Sequence, residues 1–434
     1  MRLIRVNSTA FKLDRVRTLL EQLGNPHESV QTVHVAGTVG KGSTVAMIGS
    51  ILEGCGYTVG QFTSPHVTDV RERMAINGRP IERSDFVELM RQVKAASERA
   101  QIEPTYFEIL TAAAFRYFAD QAVDLAVIET GLGGRLDCTN VITPLVTVIT
   151  RIDYDHMQIL GSTLAEIATE KAGIFKPGVP AITIEQPEGV EDVLRAEAAR
   201  IGAPISVINR EIEYSCRFGA TQDLGPHTRV CVITPTSQFM HVPVPLPGEH
   251  MAGNCALALA AVDLLKGMGF KIAEVPLHEG LVRTKTPGRM ELIAHRPRIL
   301  VDGAHNPASI GAVMRSVGAH VPYDSMVCIF GCCEDKDIAS MLDMVALGGD
   351  KIIFTRAKST ARAADPEDLQ RLFTERNGKM SQVAQTLDDA LDLARRAVSR
   401  EDLIFITGSF YLIGEAKKAV HQYETAAAAA AAAR

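Results

Sequence analysis

The chain is 434 residues long, carries a formal net charge of −6 at pH 7, and is 46% hydrophobic and 22% charged. That length allows two or three domains with ample core, and the composition is that of an ordinary globular chain. The negative balance excludes a nucleic-acid partner held by bulk electrostatics, while local basic sites for anionic substrates stay open.

The first residues, MRLIRVNSTAFKLDRVRTLL, mix charges among apolar side chains and lack the unbroken apolar core of a signal peptide. Residues 11–23 read as an amphipathic helix stopped by Gly24-Asn25-Pro26. Residues 32–36 (TVHVA) predict a short strand, 43–52 a helix ending near Gly54 and Gly56, and 57–62 a further strand. A helix over 107–120 follows, then buried strands over 125–129 and 145–150. Strands alternating with helices imply a largely parallel sheet covered on both faces. Residues 211–246 differ, being short-stranded and turn-rich (YSCRFG, RVCVITP, HVPVPLP), and read as a β appendage. An Ala/Leu-rich helix over 254–266 precedes the basic stretch VRTKTPGR, a candidate hinge at 283–288.

Beyond it the alternation restarts: ILVDGAHN, MVCIFGCC, KIIFTRA and LIFITGS each run from a strand into a polar or glycine-containing turn. The expected fold class is therefore α/β, an N-terminal unit over 1–284 and a smaller α/β unit over 285–425, with an alanine-rich tail at 426–434 to which no function is assigned. No uncharged apolar run is long enough to span a bilayer, so no membrane partner is expected. The eight scattered cysteines read as reduced thiols of a cytoplasmic protein. Cys332 and Cys333 are adjacent rather than spaced as C-x-x-C, which gives no support to a structural zinc site.

Chemistry enters at Ala36-Gly37-Thr38-Val39-Gly40-Lys41-Gly42-Ser43-Thr44, which follows a predicted strand and opens a predicted helix. Glycines let backbone N–H groups converge on phosphate oxygens, and the helix N-terminus adds positive partial charge. Lys41 can reach terminal phosphates, and the Ser43 hydroxyl can ligate Mg²⁺. The spacing departs from G-x-x-x-x-G-K-[ST]: the gap before Gly40 is shorter and Gly42 separates Lys41 from Ser43. Further candidates recur at strand ends, where open α/β sheets bind ligands. Ser64 lies in FTSPH. Glu129 ends LAVIE ahead of the glycine-rich TGLGGR, and His156 follows LVTVIT in RIDYDH. Mg²⁺ prefers oxygen ligands and bridges ATP phosphates. Lys171 sits in EKAGI, where alone it would read as a solvated helix charge.

The joint order of this loop with FTSPH, ETGLGGRLDCTN, DH…LG and EKAGIFKPG resembles the folylpolyglutamate synthase and dihydrofolate synthase family of Mur-type ligases. The resemblance continues through GEH, Asn254, TPGRME, DGAHNP, DKD and TGS, and covers almost the whole chain apart from the alanine tail. It implies a P-loop domain of the Mur-ligase central type and a Rossmann-like C-terminal glutamate-ligase domain. It also implies an ATP- and Mg²⁺-dependent enzyme that joins L-glutamate to dihydropteroate or a reduced folate. Gly40, Lys41, Gly42, Ser43 and Thr44 would bind ATP phosphates, with Asn254, Arg289, Asp302 and His305 also at the nucleotide. The family's metal ligands fall on Ser43, Ser64, Glu129 and His156, and Lys171 matches a lysine that carries a carbamate. Lys41, Lys171, Glu129 and His156 would form the catalytic set.

The family loop usually reads G-T-N-G-K-G-S, so Val39 replaces an asparagine and loses whatever its side chain bonds. The implied mechanism passes through an acyl phosphate, and the implied state is a monomer. The motifs do not choose between first-glutamate addition, tail extension and both, although both is the preferred reading. A cell-wall precursor ligase and a P-loop NTPase switch remain the other readings.

Overall fold

The strand Thr32–Ala36 is buried at every position, as a central strand covered on both faces requires. In the structure, a computed structural model that describes residues 13–221 and 225–432, it lies inside an eight-stranded sheet. Leu125–Glu129 and Val146–Ile149 flank it in parallel, and Val146–Ile149 continues in parallel to Ala181–Thr183 and Ile205–Val207. Side chains alternate across this sheet. Leu125 and Val127 join the core with the helices Lys41–Gly54 and Glu249–Gly267, whereas Ala126 and Ile128 face the helix Tyr106–Asp120.

The sheet is not wholly parallel. Val59–Phe62 pairs antiparallel with Met74–Ile76, which turns back into Arg79–Pro80. The turn is Asn77-Gly78, both at positive φ, a pattern that two-residue hairpin turns favour. These strands of three and two residues are too short for a periodicity argument.

The turn-rich segment forms a three-stranded antiparallel sheet, Glu213–Thr221, Gly225–Ile233 and Gln238–Pro243. Its Val230, Val232, Phe239 and Val242 share a core with the helix Glu249–Gly267. The sheet of the C-terminal half has six strands, in the order Glu291–His295, Arg298–Val301, Leu403–Thr407, Met326–Phe330, Lys351–Phe354 and Ser381–Val383. All its pairs are parallel except the first. The four strands expected from sequence are the four central ones.

The first helix runs Leu13–Gln22, and residues 11 and 12 of the expected helix lie outside the described residues. The alanine run continues the helix Phe410–Ala432. No helix among the described residues is long and apolar enough to cross a membrane. The carboxyl ends of the two sheets, where ligands enter such folds, face one cleft lined by Gly37–Ser43 loop residues on one side and by Asp302, His305 and Asn306 on the other.

Candidate active site

The phosphate loop is shaped by what surrounds it. Gly40 caps the helix Lys41–Gly54 at φ 95°, and a Cβ there would lie 2.3 Å from Asn254 Oδ1. Only glycine meets both conditions. Thr38 N and Val39 N both donate to Arg151 O, at 3.0 and 3.2 Å, and Thr38 Oγ1 donates to Asp153 O at 3.0 Å. The loop is thus pinned through its backbone to the turn that leads to His156, and Val39 leaves this pinning intact.

Glu129, Ser64 and Lys41 meet at the base of the cleft. Glu129 is 3% exposed; its Oε2 accepts Ser64 N–H at 2.9 Å and its Oε1 lies 3.9 Å from Lys41 Nζ. Burial raises its pKa, opposed by Lys41, the Ser64 amide, Arg289 and Arg73. An anionic oxygen held this deep with one distant cation calls for a further positive charge. His156 lines the same cleft in a left-handed conformation (φ 52°). Burial lowers its pKa more than Asp155 raises it, so the imidazole is neutral at pH 7 and free to ligate.

Among the described residues no three His, Cys, Asp or Glu side chains cluster as a metal cage. The donor set is two hydroxyls, one carboxylate and one imidazole. That set fits Mg²⁺, which binds through one or two carboxylates and completes its shell with phosphate oxygens and water.

Lys171 is 4% exposed and donates to Gly37 O at 2.8 Å, directly behind the phosphate loop. Burial, with Lys41 beside it, pushes its pKa down to about 7. The solvated-charge reading of this lysine therefore fails: its helix turns it inward.

The second half of the chain supplies the opposite wall. Asp302, just past the strand Arg298–Val301, accepts Met290 N–H and Ala304 N–H at 2.9 and 2.8 Å and lies 3.9 Å from Arg289. The Arg289 guanidinium stacks on Phe410, 4.7 Å from the ring centre. His305 is held by Nδ1 against Gly303 O at 2.8 Å, and burial pushes its pKa down to about 4.

Lys41, Gly40, Gly42, Ser43, Ser64, Glu129, His156, Lys171, Arg289, Asp302 and His305 therefore line one cleft. Two candidates do not. Thr44 is fully buried because the first helical turn points it to the core, and Asn254 packs behind Gly40 rather than into the cleft.

Sequence reasoning gave no role to Asp155, Lys336 and Asn306. Asp155 Oδ1 accepts from Lys336 Nζ at 2.8 Å and Oδ2 from Asn306 Nδ2 at 3.3 Å, so it bridges the two halves. The signals in the sequence were the adjacency of Asp155 to His156 and the places of Asn306 in DGAHNP and Lys336 in DKD. A second cavity, lined by His66, Arg73, Lys336, Arg362, Ser409 and Lys418, opens beside His156 and His305. A third runs outward from Ser43, Ser64 and Glu129. All three cavities meet at Pro65.

Residues 35–262 match the Mur ligase middle domain, and residues 288–410 match the Mur ligase glutamate ligase domain. A Bacillus subtilis dihydrofolate synthase/folylpolyglutamate synthase is 36% identical over 413 residues, covering 94% of each chain. The chain belongs to the folylpolyglutamate synthase and dihydrofolate synthase family of Mur ligases. Solved structures of family members superpose closely. A Mycobacterium tuberculosis folylpolyglutamate synthase complexed with ADP has a TM-score of 0.87 at 32% identity, covering 96% of this chain and 95% of that one. The E. coli FolC in complex with DHPP and ADP has a TM-score of 0.85 at 28% identity, covering 98% and 95%. In this member of the folylpolyglutamate synthase family Val39 contributes only its backbone to the loop, and the bonds from Thr38 and Val39 to Arg151 hold the loop in place.

Proposed function

We propose that this enzyme uses ATP and Mg²⁺ to join L-glutamate to folate-type carboxylates through an acyl phosphate, accepting both dihydropteroate and reduced folates. The observation that carries the reading is the convergence of three cavities at Pro65, one for each of three substrates. The first holds the phosphate loop and would take ATP. The second carries Arg73 and Lys418, charges that suit the two carboxylates of glutamate, while Lys336 and Arg362 on its wall are paired with Asp155 and Asp335. The third admits the acceptor. The relative that is 36% identical bears both activities in its name, which supports the bifunctional reading.

A carboxylate is a poor electrophile because oxide would have to leave. Its oxygen attacks the γ-phosphorus of ATP, the bond to ADP breaks, and the acyl phosphate presents phosphate as leaving group. The glutamate amine then attacks the carbonyl carbon, phosphate departs, and the amine gives up a proton. Lys41 and Arg289 would place and neutralise the phosphates, since positioning and charge dominate such transfers. Mg²⁺, held by Ser43, Ser64, Glu129 and His156, would offset the repulsion between phosphate and carboxylate.

His305, neutral at pH 7 with Nδ1–H turned to Gly303 O, leaves Nε2 as an acceptor for the amine proton. Lys171, with so low a pKa, is partly the free amine at neutral pH and open to carbamate formation by CO₂. We also propose a boundary near 284/285 between an ATP-binding unit (1–284, with its β appendage) and a glutamate-ligase unit (285–425), and a monomer acting in the cytoplasm.

The test is phosphate release with Mg-ATP and L-glutamate, using dihydropteroate and tetrahydrofolate in turn, with the products weighed. Turnover of both, each gaining one glutamate, is the expected result. Turnover of one alone reduces the assignment to a single activity. Hydrolysis independent of acceptor, with no glutamate-bearing product, overturns it in favour of an NTPase.

A further inference from the structure

The third cavity is an open cleft of about 630 Å³, and its outer walls carry cations to which the mechanism gives no task. Arg79 stands on the hairpin strand Arg79–Pro80 at the edge of the first sheet. Arg283 and Lys285 stand on the connection that leads to Arg289. All three side chains are exposed, and among the described residues none has an ion-pair partner. Several other arginines near the surface do have an acidic partner, as in Arg116 with Asp120, Arg195 with Glu191 and Arg376 with Asp343.

The carboxylates nearby do little to cancel the three charges. Glu72 accepts the N–H groups of Val67, Thr68 and Asp69, and Glu129 lies at the inner end beside Lys41. Glu53 is the one exposed acid in the cleft lining. A chain of net charge −6 thus gathers unmatched positive charge at one mouth of its active site, an arrangement that attracts and orients a polyanion.

The reaction explains which polyanion. Each turnover consumes one carboxylate and adds a glutamate with two, so an acceptor that returns to the site carries one more carboxylate than before. We infer that Arg79, Arg283 and Lys285 form a subsite for the glutamate tail of an already extended acceptor. They hold the carboxylates along the tail while its terminal carboxylate reaches Ser64 and Glu129. The hairpin grips from one side and the 283–289 connection from the other. The inference rests on the folate-ligase reading above and adds to it a basis for chain length.

The test compares wild type with R79Q/R283Q/K285Q and with K285Q alone. All three positions are exposed, and retention of the fold is checked by the thermal shift on adding Mg-ADP. The first measurement is binding of a fluorescent oligo-γ-glutamate peptide, without any pterin, to enzyme saturated with Mg-ADP at low and high salt. The second is kcat/KM for acceptors with and without a glutamate tail, with product lengths by mass. We expect salt-sensitive peptide binding that the triple variant weakens on the order of tenfold. We also expect a fall in the ratio of kcat/KM for tailed over untailed acceptors, with shorter products. K285Q should show the same changes in smaller degree. A wild type that does not bind the peptide, or a triple variant with unchanged binding and an unchanged ratio, overturns the inference. If wild type binds the peptide at these residues yet adds glutamate to no folate acceptor, the ligase reading fails while the anion subsite stands.

Discussion

Asp155 Oδ1 accepts a hydrogen bond from Lys336 Nζ at 2.8 Å, joining the loop after Val146–Ile149 to the loop after Met326–Phe330. The same carboxylate takes Asn306 Nδ2 at 3.3 Å and faces His305 Nε2 at 4.0 Å. One side chain thus ties the loop ends of the two sheets across the nucleotide cleft, and the side chains of both ion-pair partners are nearly buried, at 12% and 13% exposure.

Asp155→Asn keeps the shape and removes the charge. Truncating one partner of a buried pair costs about 3 kcal/mol, so the variant should melt earlier and adopt a wider range of interdomain angles. Burial raises the Asp155 pKa, but His156 and Lys336 outweigh burial and hold it well below the usual carboxylate range. A depressed carboxylate contributes stability that is present above its unfolded pKa of about 3.9 and lost as pH falls through the folded value. The stability gap between wild type and variant should therefore close in acid. Small-angle scattering checks the opening: an unchanged profile for the ligand-free variant would show that this contact does not hold the halves together.

Lys171 titrates in the opposite sense from a surface lysine. Its folded pKa of about 7 lies below the ordinary lysine value of 10.5. The unfolded chain therefore binds the extra proton between these values, and stability rises with pH across that window. Lys171→Met should remove this slope and raise stability at pH 7, while lowering kcat/KM on the order of a hundredfold or more. Isotopically labelled bicarbonate should give a carbamate resonance in wild type and none in the variant. If the resonance persists in Lys171→Met, another amine is responsible.

Glu129 sets stability against chemistry. Burial raises its pKa, so its contribution to stability is full below the ordinary glutamate range and falls as pH rises through the folded value. Glu129→Gln should make the metal-free protein more stable at pH 8 and abolish the stabilisation that Mg-ADP gives wild type. Its kcat/KM should fall on the order of a thousandfold, close to the effect of removing Mg²⁺ from wild type. Melting curves with and without Mg-ADP decide it; a variant still stabilised as strongly as wild type would remove Glu129 from the metal site.

Val39 donates only its backbone N–H to the loop's anchor, Arg151 O at 3.2 Å. Val39→Asn should change the KM for ATP by no more than about threefold, the range usual for a substitution that breaks no buried contact. A larger gain in ATP affinity would mean that a side chain at this position, rather than the backbone, organises the loop.

Much of this was legible in the order of residues. A glycine-rich turn between a buried strand and a helix specifies a phosphate loop because glycine readily adopts φ 95°, a local backbone requirement, whereas the close approach of Asn254 to Gly40 is a tertiary one. The central strands were readable because parallel strands covered on both faces are continuous apolar runs. The edge hairpin Met74–Pro80 was not, since two or three residues carry no period.

Long-range electrostatics could not be read from sequence either. Lys171 looked solvated until its helix turned it onto Gly37, and Asp155 had no visible partner until Lys336, 181 residues away, came to 2.8 Å. The sequence by itself determined the local parts: the loop, the strand-end carboxylate, and the two αβ rhythms on either side of residues 283–288. Only the tertiary structure decided which charges meet, which lie buried, and which stay unmatched at Arg79, Arg283 and Lys285. Coulomb energy and desolvation depend on distance and depth in space, and chain position encodes neither.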